Sequence, residues 1–229
     1  MRIGILGGSF NPIHNGHLAI ARGMIKRAIV DKVMLMVSPQ NPIKSPESLL
    51  PEDIRFQLAQ KACESECGIQ VSNFEFFLPR PSYTWQTLCA LRSTHPENEY
   101  VLLIGADNWN IFSKWYRSKD IIENFEIAIY PREGFDISPA SLPLGVKYVS
   151  MPLYKISSTD IRKKLSQGKD ISAYVPPTLL KDITNLYKEF NSKKAGYFFC
   201  KYLYEFFCSF FRKLLCNLIL CFALTCREI

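Results

Sequence analysis

A short apolar strand runs straight into a glycine pair and a proline turn, and an amphipathic helix pattern follows at once. Ile3, Ile5 and Leu6 read as a buried strand, while Leu18, Ile20, Ala21, Met24 and Ile25 recur at helical spacing. Between them stands Gly7-Gly8-Ser9-Phe10-Asn11-Pro12-Ile13-His14-Asn15-Gly16-His17. Glycines at a strand-to-helix junction let the backbone pass close to a ligand. The helix start aims N–H groups and the positive end of a dipole at that ligand, which suits phosphate. The chain has only three histidines, and two of them are here. At spacing i, i+3 on a helix start, His14 and His17 share one face and can address one phosphate group together. No Gly-Lys-Ser/Thr follows, which excludes the Walker P-loop, and Gly4 and Gly7 lack the spacing of a dinucleotide fingerprint.

At 229 residues and 48% hydrophobic composition the chain can bury one sizeable α/β core. The net charge of +7 is unevenly spread: residues 191–229 carry +4, which leaves the body at +3 with no Lys/Arg run. That balance argues against nucleic acid as a partner. Met1-Arg2 leads directly into the first strand, so no secretory signal is read and a cytoplasmic enzyme is expected. In the body, Cys63-x-x-x-Cys67 and Cys89 lack the second pair or nearby histidine that four metal ligands need, and they read as reduced thiols packed on a helix.

Strand and helix patterns alternate through the body. Strands are expected at Val33–Val37, Ile69–Val71, Tyr100–Gly105, Ile127–Tyr130 and Lys147–Val149, with Phe74–Phe77 also extended. Helices are expected at Pro51–Cys67, Trp85–Ser93, Ser118–Asn124, Ser158–Gln167 and Pro177–Phe190. Such alternation predicts an α/β fold, a Rossmann-like doubly wound parallel sheet with helices on both faces and its ligand crevice at the strand C-terminal ends. Residues 1–190 form this domain, and 191–229 form an aromatic, cysteine-rich tail. The uncharged stretch Leu214–Cys226 is shorter than the roughly 20 residues that span a bilayer. An interfacial helix at a membrane surface, a segment packed on a partner, or an aberrant end without function would each suit it.

A second anion cradle lies at Ile156-Ser157-Ser158-Thr159-Asp160-Ile161-Arg162. A Ser or Thr hydroxyl caps a helix whose first turn takes Asp160, and Arg162 stands beside free N–H groups and two spare hydroxyls. His-x-Gly-His after Gly-Ser-Phe-Asn-Pro, paired with Ser-Ser-Thr-x-x-Arg, resembles the signature of the nucleotidylyltransferase superfamily. The likeness narrows to the bacterial nicotinate-mononucleotide (deamido-type) adenylyltransferases through Asn41-Pro42-Ile43-Lys44, Pro81–Leu88, Leu103–Asp107, Lys114-Trp115-Tyr116, Pro131-Arg132 and Tyr174–Pro177. Ile43 departs from the family's histidine at that position, so only Lys44 carries over. The tail has no counterpart in the family.

The resemblance implies transfer of AMP from ATP to nicotinate mononucleotide, giving deamido-NAD and pyrophosphate. It implies that Gly8, Ser9, Phe10, His14 and His17 meet ATP, with Lys44, Ser157, Ser158 and Arg162 on its phosphates and Asp107 near the riboses. His14, His17, Lys44 and Arg162 would carry the catalysis. Thr84, Trp115, Tyr116 and Arg132 would hold the mononucleotide, with Trp115 stacked on the pyridine ring. The nucleophile is a phosphate oxygen already ionised at neutral pH, so no general base is needed. Mg²⁺ would travel mainly on the ATP phosphates, because the motifs hold few acidic groups. A phosphopantetheine adenylyltransferase and a non-catalytic nucleotide sensor are the rival readings, and a membrane-associated scaffold would rest on the tail alone.

Overall fold

The computed structural model describes residues 1–39 and 49–192. Lys44 and nearly all of the tail lie outside the described residues. The chain divides into two compact units, Met1–Thr184 and Asn185–Ile229.

In the first unit six strands form one parallel sheet: β1 (Arg2–Gly8), β2 (Lys32–Val37), β3 (Ile69–Ser72), β4 (Glu99–Gly105), β5 (Glu126–Tyr130) and β6 (Val146–Tyr148). Their order is β3-β2-β1-β4-β5-β6. Every pairing is parallel, with Ile5 against Met34 on one side of β1 and against Leu102 on the other. Helices α1 (Asn15–Lys26), α2 (Glu52–Cys63), α3 (Thr84–Thr94), α4 (Ala106–Asn110) and α5 (Ser118–Asn124) connect them, and α6 (Ser158–Ser166) follows β6. Right-handed crossovers send α1 and α2 to one face as the chain moves outward from β1 to β3, and α3 and α5 to the other as it returns through β4 to β6. Side chains accordingly split by parity. Ile3, Ile5, Leu102, Ile104, Ile127 and Ile129 share one core cluster with Leu88 and Leu91 of α3 and Ile121 of α5. Each fully buried Leu or Ile of this kind stabilises the fold by about 1.5–3 kcal/mol.

The direction of winding reverses between β1 and β4, and their C-terminal ends part to leave a crevice there.

Several expected elements differ. Phe74–Phe77 is a 3₁₀ turn rather than an extended segment, because burial of the Glu75 side chain sets its geometry. The helix expected to reach Cys67 ends at Cys63, so Cys63 is buried on α2 while Cys67 is exposed beyond it. They share no helix face. The last strand is Val146–Tyr148, one residue earlier than its apolar pattern indicates. The last helical region opens with a 3₁₀ turn at Pro177–Leu179, and residues 180–184 are helical. In the second unit the described residues, 185–192, are helical as well. No helix among the described residues is long and apolar enough to cross a membrane.

Candidate active site

At the switch point lies a cavity of about 740 Å³, toward the upper end of the roughly 300–1,000 Å³ usual for small-molecule sites. Gly8, Ser9, Phe10, His14 and His17 line it from the β1 end. Ser157, Ser158 and Arg162 enter from α6, and Asp107 and Arg132 from the ends of β4 and β5. Thr84, Trp115 and Tyr116 complete the opposite wall. Thus every candidate residue within the described part of the chain reaches one cavity, although together they span Gly8 to Arg162.

His14 is the N-cap of α1 and only 2% exposed. Its ring stacks on that of His17, with centroids 3.6 Å apart and planes 18° from parallel. Phe10 meets His17 edge-on at 4.9 Å, and Phe10 itself holds a left-handed backbone (φ 43°). The backbone N–H of His14 donates to His17 Nδ1 at 3.3 Å, which puts the proton of a neutral His17 on Nε2. Gly16 is required by close approach: a Cβ there would stand 3.0 Å from His14 Nδ1.

His14 Nδ1 is buried without a hydrogen-bond partner among the described residues. Burial, and next the charge of Arg132, push the His14 pKa down from 6.5 to about 3. At neutral pH the imidazole at position 14 is therefore neutral. The consequence for stability has a definite sign. Below pH 6.5 the unfolded chain takes up a proton that the folded one refuses, so stability present above pH 6.5 is lost as pH falls toward 3. The slope reaches up to about 1.4 kcal/mol per pH unit. We expect His14→Asn to melt with a flatter pH dependence between pH 6.5 and 4 than the parent. Equal slopes in thermal melts of the two would remove His14 as the cause.

The α6 element is wired to the first loop. Ser158 Oγ donates to the Pro12 carbonyl at 2.9 Å, and Arg162 Nη1 to the Asn11 carbonyl at 2.8 Å. Ser157 Oγ accepts from the Asp160 N–H at 3.1 Å and lies 2.6 Å from its carboxylate. Thr159 Oγ1 accepts from Arg162 Nη2 at 3.2 Å. The hydroxyls expected to be spare are thus already engaged in capping and lacing. The α1 start is also partly satisfied, since the Asn15 N–H donates to the Tyr174 carbonyl at 2.8 Å. Tyr174–Pro177 thereby gains a structural task that its motif alone did not reveal.

Asp107, in the first turn of α4, faces Arg132 at 3.5 Å, an ion pair too long for a hydrogen bond. Asp107 Oδ1 and Arg132 Nε are both buried without a hydrogen-bond partner among the described residues, a condition native proteins rarely leave outside working sites. Gly105 permits this pair, because a Cβ there would stand 3.0 Å from Arg132 Cγ and closer still to the Asp107 carboxylate. On the far wall Trp115 packs on Phe112 at 5.1 Å, and Tyr83 and Tyr116 lean together at 4.9 Å.

Three comparisons agree with this arrangement. A family model described as cytidylyltransferase-like matches residues 5–164. A Bacteroides fragilis protein named "Probable nicotinate-nucleotide adenylyltransferase" is 45% identical over 182 residues, 80% of this chain and 90% of its own length. A Porphyromonas gingivalis protein of the same name is 39% identical over 177 residues, 77% of this chain and 90% of its own. The chain belongs to the nicotinate-nucleotide adenylyltransferases. A Plasmodium falciparum nicotinic acid mononucleotide adenylyltransferase, solved complexed with NaAD, superposes with a TM-score of 0.71 over 83% of this chain and 97% of that one. At 19% identity that likeness speaks to the fold alone.

Two residues of this adenylyltransferase were not singled out from the sequence. Glu75 lines the cavity yet is 7% exposed. It accepts from Thr87 Oγ1 at 2.9 Å and Ser82 Oγ at 3.2 Å, and burial pushes its carboxyl above the usual range despite those bonds. Arg55, 1% exposed, stands outside the cavity wall. A cation at the end of a helix's first turn works against the helix dipole, and that local conflict is the sequence signal that could have found it.

Proposed function

We propose that this enzyme transfers the adenylyl group of ATP to nicotinate mononucleotide, releasing pyrophosphate and forming the deamido dinucleotide, in the cytoplasm and within residues 1–190. The observation that carries the reading is the convergence of both anion-binding elements and the aromatic wall on one cavity at the β1/β4 switch point. A phosphate oxygen of the mononucleotide attacks the α-phosphorus. The bond from that phosphorus to the α–β bridging oxygen breaks, and pyrophosphate leaves with the electron pair. Nothing in this exchange needs a proton removed, so the work is positioning and charge neutralisation.

His17 presents its Nε2–H at the α-phosphate. His14, neutral until a polyanion enters, donates beside it and gains basicity as the phosphate charge arrives. Arg162 and Lys44 draw the triphosphate, and Ser157 and Ser158 set its edge through the first turn of α6. Gly8, Ser9 and Phe10 line the ATP side. Asp107 meets a ribose, which frees Arg132 for the mononucleotide phosphate. Among the described residues, the carboxylates in the cavity wall are Asp107, paired with Arg132, and Glu75, held by hydroxyls. Such a donor set suits Mg²⁺ arriving as MgATP, bound by phosphate and water.

Trp115 stacks on a pyridine ring whether it carries a carboxylate or an amide. Selectivity therefore falls to N–H donors around that group. The N–H groups of Thr84 and Trp85, on the first turn of α3, have no acceptor inside the helix, and Tyr116 stands across from them. Facing two donors, a carboxylate is satisfied and an amide NH₂ is mispaired, at a cost of roughly 1–3 kcal/mol. Pyrophosphate release from ATP with nicotinate mononucleotide, nicotinamide mononucleotide or phosphopantetheine tests this. We expect kcat/KM for the nicotinate form to exceed that for the amide by at least about tenfold. Equal turnover of the two would remove the selectivity, and turnover of phosphopantetheine alone would replace the substrate.

A further inference from the structure

We propose that Arg55 is a positioning residue for adenylyl transfer: it holds the Ser9 carbonyl from behind the loop and so turns the Phe10 N–H toward the ATP phosphates. The inference rests on the function proposed above.

Burying a guanidinium is costly unless its donors are used, and four backbone carbonyls take bonds from Arg55. Its Nε donates to the Leu50 carbonyl at 2.9 Å. Its Nη1 donates to the carbonyls of Ser9 at 2.6 Å and Ser38 at 2.9 Å, and its Nη2 to that of Pro39 at 2.8 Å. One planar group thus joins three segments: the loop after β1, the exit of β2 and the approach to α2. Its rigid fork sets their separation.

Orientation follows from where the partners stand. Ser9, Phe10 and Ser38 line the cavity and Arg55 does not. The Ser9 carbonyl therefore points out of the cavity, toward the guanidinium. The cis peptide bonds among the described residues are Asn11-Pro12 and Arg80-Pro81, so the Ser9–Phe10 bond is trans. In a trans peptide the C=O and N–H point in opposite directions. With the carbonyl drawn outward, the Phe10 N–H faces inward. A cation on the carbonyl end also polarises the peptide and makes that N–H a better donor to an anion. Phe10 keeps a left-handed backbone at this point, a conformation that persists only where surrounding structure over-determines it. Arg55 supplies part of that determination.

The test is Arg55→Lys, which keeps the charge but cannot span four carbonyls. Pyrophosphate release gives kcat and KM for ATP and for nicotinate mononucleotide, and the Phe10 amide resonance is followed by ¹⁵N NMR as MgATP is added. We expect a cooperatively folded variant whose kcat/KM for ATP falls at least about tenfold. Its KM for the mononucleotide should stay within about twofold, and the MgATP response of the Phe10 amide should be lost. The proposal is overturned if kcat/KM for ATP stays within about threefold of the parent, or if both KM values rise together. A Lys variant that does not fold would assign Arg55 to stability and overturn it as well. Should the parent release no pyrophosphate with this substrate pair, the functional reading fails. The Phe10 response to MgATP alone would then still decide the role of Arg55.

Discussion

Replacing His17 with alanine should lower kcat on the order of 10²-fold or more while changing KM for ATP far less. The expectation follows from how the ring is held. Its Nδ1 accepts the His14 N–H, its face lies on the His14 ring, and the Phe10 edge closes the third side. Those contacts fix both tautomer and direction, so Nε2–H is aimed before substrate binds. A donor aimed in advance costs no reorganisation when charge grows on the α-phosphate, and its removal is felt in the transition state more than in the ground state. Alanine introduces no clash and leaves α1 a good helix former. Loss of activity with an unchanged melting temperature would therefore report chemistry and not folding. Steady-state rates paired with single-turnover measurements decide it, and a drop below about fivefold would take His17 out of the catalytic role.

The parallel sheet was legible because its central strands are buried on both faces. Tyr100–Gly105 shows as an uninterrupted apolar run, and in the structure every one of those residues is buried. The lining of the candidate site was legible where residues form a local signature, as in Gly8–His17 and Ser157–Arg162, which meet at one cavity. It was opaque where a residue works through distant backbone. Arg55 reads as one more polar position on a helix until the carbonyls of Ser9 and Ser38 arrive from 46 and 17 residues away. Glu75 sits in Phe74-Glu75-Phe76-Phe77, whose alternation indicates a strand. A buried carboxylate bonded to Ser82 and Thr87 imposes a turn instead. Phe10 carries no glycine-like signal for its left-handed backbone; packing in the fold overrides the local preference. The sequence also places Ser157 and Ser158 in the cradle, but it takes the fold to engage their hydroxyls with Asp160 and the Pro12 carbonyl.

Arg162→Ala should be as damaging as His17→Ala, with kcat/KM for ATP reduced by about 10²-fold or more, for a different reason. Arg162 is a strut between elements 151 residues apart in sequence, because its Nη1 holds the Asn11 carbonyl and its Nη2 the Thr159 hydroxyl, and in the proposed reaction it is a charge at the phosphates as well. A guanidinium has five N–H donors, so these bonds leave others for phosphate oxygens. Alanine removes the charge, the phosphate donors and the strut at once, and the Gly-Ser-Phe-Asn-Pro loop loses one tie to α6 while Ser158 keeps the other. Arg162→Lys separates the contributions. An ammonium restores charge but cannot hold Asn11 and a phosphate in the same planar fork. If attraction of the triphosphate dominates, the Lys variant should recover most of the activity. If positioning dominates, it should remain at least about tenfold below the parent with KM for ATP nearly restored. We expect the second result, because the 2.8 Å bond to Asn11 is made before ATP arrives. A site organised in advance loses more from misplaced donors than from a weakened charge. An alanine variant within about fivefold of the parent would exclude Arg162 from both roles.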